Sequence, residues 1–277
     1  MRSIMFVSIL FNFISLFAIC QEQNYSLRPH GTYLVVIMNK SGICVGADSR
    51  SSNMEHGVGT PVYAYIDSTE KIFRYKNIFF QIGGASDYTH YTIFGLFDEF
   101  KKHNQKAVNV HTYWPIFCQY AKTIMGDSEY NTFKNGVDCI ISGYENSKPY
   151  AYFYSRDHKD SMTNEGFISS NRLENKKVNL KNFLDTAHVE SMIALIKRII
   201  NIEAKSYKNG ISPIGGPSSV GYVTREGKIY EDFQKKHSHK TVLEGMKAAF
   251  NDETDRVYRS PQDSIIFKNS IKYHYLH

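Results

Sequence analysis

The chain has 277 residues, 42% of them hydrophobic and 14% aromatic, which is enough to bury one sizeable core. Its net charge is only +6, and its 33 Lys and Arg are interspersed with 27 Asp and Glu. Neither a nucleic-acid surface nor an anionic-membrane surface is therefore indicated, and no composition break, repeat or low-complexity tract divides the chain.

At the N-terminus, Arg2 precedes an apolar run from Ile4 to Ile19, and Ala18-Ile19-Cys20 supplies the small residues a signal peptidase reads. The run is short for a membrane anchor, so residues 1–20 are expected to be a signal peptide. Three cysteines then remain, Cys44, Cys118 and Cys139, without CxxC or zinc-finger spacing and in an odd number that defines no disulfide framework. Asn24-Tyr25-Ser26 and Asn39-Lys40-Ser41 fit the glycosylation triplet, a short pattern that chance also produces.

From Thr32 the pattern is that of strands. Thr32 to Met38 and Ile43 to Asp48 are near-continuous apolar runs joined by Asn39-Lys40-Ser41-Gly42, as in a hairpin buried on both faces. A polar stretch from Ser51 to Pro61 reads as a connection. Lys71-Ile72-Phe73 and Ile78 to Ile82 give a second hairpin, which Gly83-Gly84 ends. Helical spacing follows at Tyr88, Tyr91, Phe94, Leu96, Phe97 and Phe100, then at Trp114, Phe117, Cys118, Ala121 and Ile124. Strands are expected again at Val137 to Tyr144, Pro149 to Tyr154 and Gly166 to Ser169. A long helix runs from about Asp185 to Tyr207, a hairpin covers Ser219 to Tyr230, and a last helix spans Thr241 to Phe250. This order places the chain in the α+β class, with two stacked sheets carrying helices outside them, a four-layer αββα sandwich.

Four segments carry the chemistry: Gly31-Thr32-Tyr33-Leu34-Val35-Val36, then Gly46-Ala47-Asp48-Ser49-Arg50, then Ser68-Thr69-Glu70-Lys71-Ile72, then Gly83-Gly84-Ala85-Ser86-Asp87. In this order they resemble the proteasome β-subunit and HslV-like family of N-terminal-nucleophile hydrolases, and the likeness extends more loosely to Ile229. The resemblance implies that residues 21–31 are a short propeptide and 32–277 the hydrolase domain, self-processed at Gly31-Thr32. The freed Thr32 would carry a hydroxyl nucleophile and an α-amine of ordinary pKa about 7.7 to 8.0, able to take the hydroxyl proton without a histidine. Lys71 would lower the cost of the oxyanion, Asp48 would pair with Lys71, and Gly83 would offer a backbone N–H to the oxyanion. Arg50 would give structural support.

Two departures stand out. The family's Gly-Ser-Gly turn is replaced by Ser169-Ser170-Asn171, leaving Ser170 as the candidate serine without its glycines. Its aspartate after the long helix is absent too, since Tyr207 to Gly216 offers Ser212 and nothing acidic. The expectation is a threonine peptidase of reduced activity that needs no metal or organic cofactor. Its rivals are an inactive structural or interaction protein and a non-proteolytic amidase. An exposed His237-Ser238-His239 without a third ligand reads as a polar turn. The implied partners are a peptide or protein substrate and a homo-oligomer or ring, with dimer and monomer left open. Neither nucleic acid nor, after signal cleavage, membrane is expected. The expected location is secreted or in the secretory pathway, or cytoplasmic and nuclear if the whole N-terminal segment is a propeptide.

Overall fold

The computed structural model describes residues 32–54, 62–84, 92–104, 109–155, 159–163, 166–170, 186–207, 211–251 and 254–276. The expected signal peptide, the propeptide with Gly31, the Ala85-Ser86-Asp87 turn and the start of the long helix at Asp185 lie outside them.

The first hairpin forms as its apolar runs require. Strands β1 (Leu34–Asn39) and β2 (Gly42–Ala47) pair antiparallel from Leu34↔Ala47 to Asn39↔Gly42, and nearly every residue in them is buried. Asn39 builds the turn with its own side chain, its Oδ1 accepting from the Ser41 amide at 2.8 Å and its Nδ2 donating to Ala187 O at 2.7 Å. Strand β10 (Gly166–Ser169) adds to β1, and β11 (Ser219–Val223) with β12 (Ile229–Asp232) adds to β2, giving the five-stranded order β10-β1-β2-β11-β12.

A second five-stranded antiparallel sheet runs β5 (Ile72–Tyr75), β6 (Ile78–Gly84), β7 (Val137–Glu145), β8 (Lys148–Tyr154) and β9 (Lys159–Met162). A third, of three strands, joins β13 (Val257–Tyr258), β4 (Val62–Ile66) and β3 (Ser51–Met54). The polar stretch expected as a connection thus contains half of a hairpin. Pairing with β4 overrides the weak strand preference of Ser51, Ser52 and Asn53.

Six helices occur among the described residues: α1 (Ile93–His103), α2 (Val110–Met125), α3 (Asp127–Gly136), α4 (Val189–Ser206), α5 (Val242–Phe250) and α6 (Pro261–Leu276). Thr92 caps α1 by accepting from Gly95 N at 3.2 Å, and Thr241 with Glu244 forms a capping box on α5. Helix α3 was not expected, and it is set off from α2 by Gly126 at φ +77. Nor is α5 the last helix, because β13 and α6 follow it. Among the described residues no helix is long and apolar enough to cross a membrane.

Three apolar clusters make up the core. Val35, Ile37 and Cys44 pack with Met192, Ile196, Ile199 and Ile200 of α4. The alternate residues Leu34, Val36, Met38 and Val45 pack with Ile72, Phe79, Ile140 and Ala151 of the second sheet. Phe80, Ile82 and Ile141 of that sheet pack with Phe97 and Phe100 of α1 and with Tyr113 and Phe117 of α2. The period-2 alternation of a strand thus divides β1 between two clusters, which is why its sequence reads as an unbroken apolar run. Gln81 of β6, fully buried, joins the sheets by donating to Val35 O at 3.1 Å and Gly46 O at 2.8 Å.

Candidate active site

Asp48 follows β2 directly, and its amide continues the β1–β2 ladder by donating to Tyr33 O at 3.2 Å. Its fully buried carboxylate accepts four bonds. Oδ1 receives the Tyr33 amide at 2.8 Å and the Lys71 ammonium at 3.0 Å; Oδ2 receives the Gly215 amide at 3.1 Å and the Arg50 amide at 3.2 Å. A carboxylate removed from water needs such a set, because isolated burial of its charge would cost far more than the fold can supply.

Lys71 stands immediately before β5, and its carbonyl extends the β5–β6 ladder by accepting from Ile82 N at 3.0 Å. Its side chain is 7% exposed. Burial pulls its pKa below the ordinary lysine value, and the charge and hydrogen bond of Asp48 oppose that pull.

Thr32 is itself buried, at 8% exposure. Gly83 of β6 passes so close that a Cβ there would lie 2.9 Å from Thr32 Cγ2, 3.0 Å from its Cβ and 3.6 Å from its Oγ1. Gly84 beside it adopts φ +97, and a Cβ there would overlap Gly136 O at 2.0 Å, so both members of the pair need to be glycine. Ser170 prolongs the pairing of β10 with β1. Its amide donates to Leu34 O at 3.0 Å, its hydroxyl accepts from Leu34 N at 3.0 Å and reaches Thr32 O at 3.5 Å.

The five residues singled out from the sequence fall into two contact groups, joined through Tyr33. Gly83 and Ser170 touch Thr32, while Asp48 joins Lys71 to the residue after Thr32. In the second half of the scaffold, sequence reasoning named Arg50 as support but missed the residues it holds. Ser49, fully buried, donates its amide to Gly215 O at 3.1 Å, and its carbonyl and hydroxyl accept from Thr69 N at 2.9 Å and Ser68 N at 3.1 Å. The guanidinium of Arg50 pairs with Asp67 through two bonds, of 2.8 and 3.1 Å, donates to Ser212 O at 3.0 Å, and lies 3.7 Å from the centre of the Tyr65 ring. Ser212, where an acid was sought, therefore contributes its backbone. A pocket of about 250 Å³ opens beside this scaffold, lined by Arg50, Lys205, Ser212, Ile214 and Gly216 among others.

Thiol chemistry has no support in this arrangement, because Cys44, Cys118 and Cys139 are free and buried, and burial pushes the Cys118 thiol up to about 11. Among the described residues no three metal-ligating side chains gather.

No family model and no curated protein matches the chain. Among solved structures it is similar to an Anbu mutant from Hyphomicrobium sp. strain MC1, with TM-score 0.48 and 12% identity over 88% of this chain and 96% of that one. It is also similar to Anbu in a helical assembly from Pseudomonas aeruginosa, with TM-score 0.48 and 13% identity over 73% of this chain and 87% of that one. The expected placement among proteasome β-subunits and HslV-like proteins is corrected by these findings, since no such family model matches and the similar structures are Anbu proteins.

Proposed function

We propose that the chain is an N-terminal-threonine hydrolase of amide bonds, with Thr32 as its nucleophile once the residues before it are removed. One observation carries the reading: Asp48 Oδ1 is shared between the Tyr33 amide at 2.8 Å and the Lys71 ammonium at 3.0 Å, which ties a buried cation to the residue next to the threonine. The packing of Gly83 against the Thr32 side chain supports it.

In this reading the Thr32 hydroxyl attacks the substrate carbonyl carbon and its proton passes to the Thr32 α-amine. The Lys71 charge favours the resulting oxyanion, and the Gly83 backbone N–H is the candidate donor to it. Collapse expels the amine half of the substrate, which takes the proton back from the α-ammonium, and leaves an ester on Thr32. Water, deprotonated by the same amine, then releases the acid and restores the hydroxyl. In the uncut chain the Thr32 nitrogen is itself the scissile amide, so removal of the N-terminal segment would run by attack of the Thr32 hydroxyl on the Gly31 carbonyl with a water molecule taking the hydroxyl proton and giving one to the departing Thr32 nitrogen, followed by hydrolysis of the ester so formed. We assign reduced rather than full turnover, because no acidic side chain lies between Tyr207 and Gly216. The proposed architecture is the four-layer αββα sandwich, which the three clusters support: α4 against the first sheet, that sheet against the second, and α1 with α2 against the second.

The test compares wild type with Thr32→Ala by intact mass, by turnover of short peptide amides and esters, and by labelling with a threonine-directed electrophile. The expected result is a wild-type chain beginning at Thr32, labelled there and slowly active, and a mutant that keeps the longer N-terminus and does neither. Identical N-termini with no labelling of Thr32 would end the hydrolase reading in favour of an interaction protein.

A further inference from the structure

Asp67 lies between β4 and the segment that carries Lys71, and it touches neither Thr32 nor Asp48 in the contacts described above. It nevertheless ends a continuous chain of bonds that reaches the site. Both carboxylate oxygens hold the Arg50 guanidinium, at 2.8 and 3.1 Å, with the side chains 33% and 14% exposed. That guanidinium donates to Ser212 O at 3.0 Å, and the face of Tyr65 covers it. Ser212 Oγ in turn accepts from Ile214 N at 3.2 Å, and the next residue, Gly215, places its amide on Asp48 Oδ2 at 3.1 Å. The fit around this chain is close. A Cβ on Gly215 would lie 2.6 Å from the guanidinium carbon, and one on Gly216, at φ +73, would lie 2.9 Å from Asp67 Oδ1 and 2.6 Å from Ser49 Oγ.

We propose that Asp67 is a positioning residue of the site: through Arg50 it holds the 212–216 loop so that the Gly215 amide stays on Asp48 Oδ2 and Oδ1 stays available to Lys71 and Tyr33. This rests on the hydrolase reading for its catalytic consequence. A bidentate pair has directional fidelity that a single bond lacks, so the loop is fixed in orientation as well as distance. An acid that reaches the loop from β4 fills a need that the loop's own sequence leaves open. Loss of the Asp67 charge reduces the two-bond pair to one neutral hydrogen bond at most, and lets the loop drift from Asp48.

The experiment uses the full chain carrying Asp67→Asn, Asp67→Glu and, as a control for losing an exposed ion pair, Asp232→Asn, whose partner Lys197 sits at 3.4 Å on the surface. Amide exchange at Gly215 reads the positioning directly and needs no activity. The expected result for Asp67→Asn is exchange at Gly215 at least tenfold faster, unchanged exchange in β11 at Val220 and Gly221, and kcat down roughly tenfold at unchanged KM. Asp67→Glu should restore part of both, and Asp232→Asn should alter neither. Unchanged Gly215 protection in Asp67→Asn overturns the proposal, and so does faster exchange with undiminished kcat. If the wild type neither turns over substrate nor labels at Thr32, the hydrolase reading falls. The proposal then stands or falls on Gly215 exchange in Asp67→Asn, because the charges of Asp67 and Arg50 act on the Lys71 ammonium directly and its titration would respond to their loss even with Asp48 in place.

Discussion

Asp48 and Lys71 form a buried pair, each of whose members makes the other tolerable. Replacing Asp48 with Asn removes the anion and turns an amide group toward donors that need acceptors, so the Lys71 ammonium is left without its counter-charge. The expected cost is about 3–5 kcal/mol of stability in urea denaturation, and Asp48→Asn combined with Lys71→Met should regain a large part of it. A similar loss in the single and double variants would mean that the charge pair is not what Asp48 contributes. The depressed pKa of Lys71 gives a pH dependence of definite sign. Between the folded-state value and the ordinary 10.5, the unfolded chain holds a proton that the folded chain has released. Stability therefore rises with pH through that window and falls as pH drops through the depressed value. The difference in unfolding free energy between wild type and Lys71→Met, measured from neutral to alkaline pH, should rise with pH; a flat difference would show an unshifted lysine. These two residues were singled out in the sequence only through the resemblance of the segments that carry them, since a lysine before a strand and an Asp-Ser-Arg stretch after one mark no site by themselves. Gly215 and Asp67 were not, for two separate reasons. Gly215 acts through a backbone amide that nearly every residue possesses, and Asp67 sits in a run of Ser and Thr where an acid signals only a turn.

Strand β6 shows how far a local pattern can be read. Its Phe and Ile residues announce a strand, which forms and runs on through both glycines; that the first glycine lies against Thr32 could be expected only from the resemblance, because the contact joins residues 51 positions apart. Gly83→Ala should bring a methyl group to about the 2.9 Å separation from Thr32 Cγ2 and displace the threonine. We expect at least a hundredfold loss of turnover with only about 1–3 kcal/mol of destabilisation, read by kinetics and thermal unfolding in parallel. Undiminished turnover would remove Gly83 from the site. The elements that escaped sequence reading share a physical cause. Strand β9 is Lys159-Asp160-Ser161-Met162, a polar edge strand held by its neighbour, and β3 likewise depends on its partner. Helix α6 places Ile265, Ile266 and Phe267 at adjacent positions, which marks no helical face, and the first two are exposed.

At the scale of the whole molecule, the cluster shared by the two five-stranded sheets decides cooperativity. Phe79 sits in it, fully buried, with its ring 6.1 Å from that of Phe233 beyond β12. Phe79→Ala should cost about 3–5 kcal/mol and lower a single unfolding transition for both sheets together, whereas Leu243→Ala, half exposed on α5, should stay within about 0.5 kcal/mol. Two separated transitions in the Phe79 variant would mean that the sheets fold independently. The order in which the chain leaves the ribosome gives the Asp48 carboxylate a further meaning. Its partners are scattered, with Tyr33 15 positions away, Lys71 23 and Gly215 167. At roughly 5 to 20 residues per second, about 7 to 29 s of synthesis separates Lys71 from Gly215. During that interval the nascent chain holds a threonine, a lysine and an aspartate but lacks the amide that completes the carboxylate's bonding. On the proposed hydrolase reading, the site that would cut before Thr32 is therefore complete only when nearly the whole polypeptide has been made.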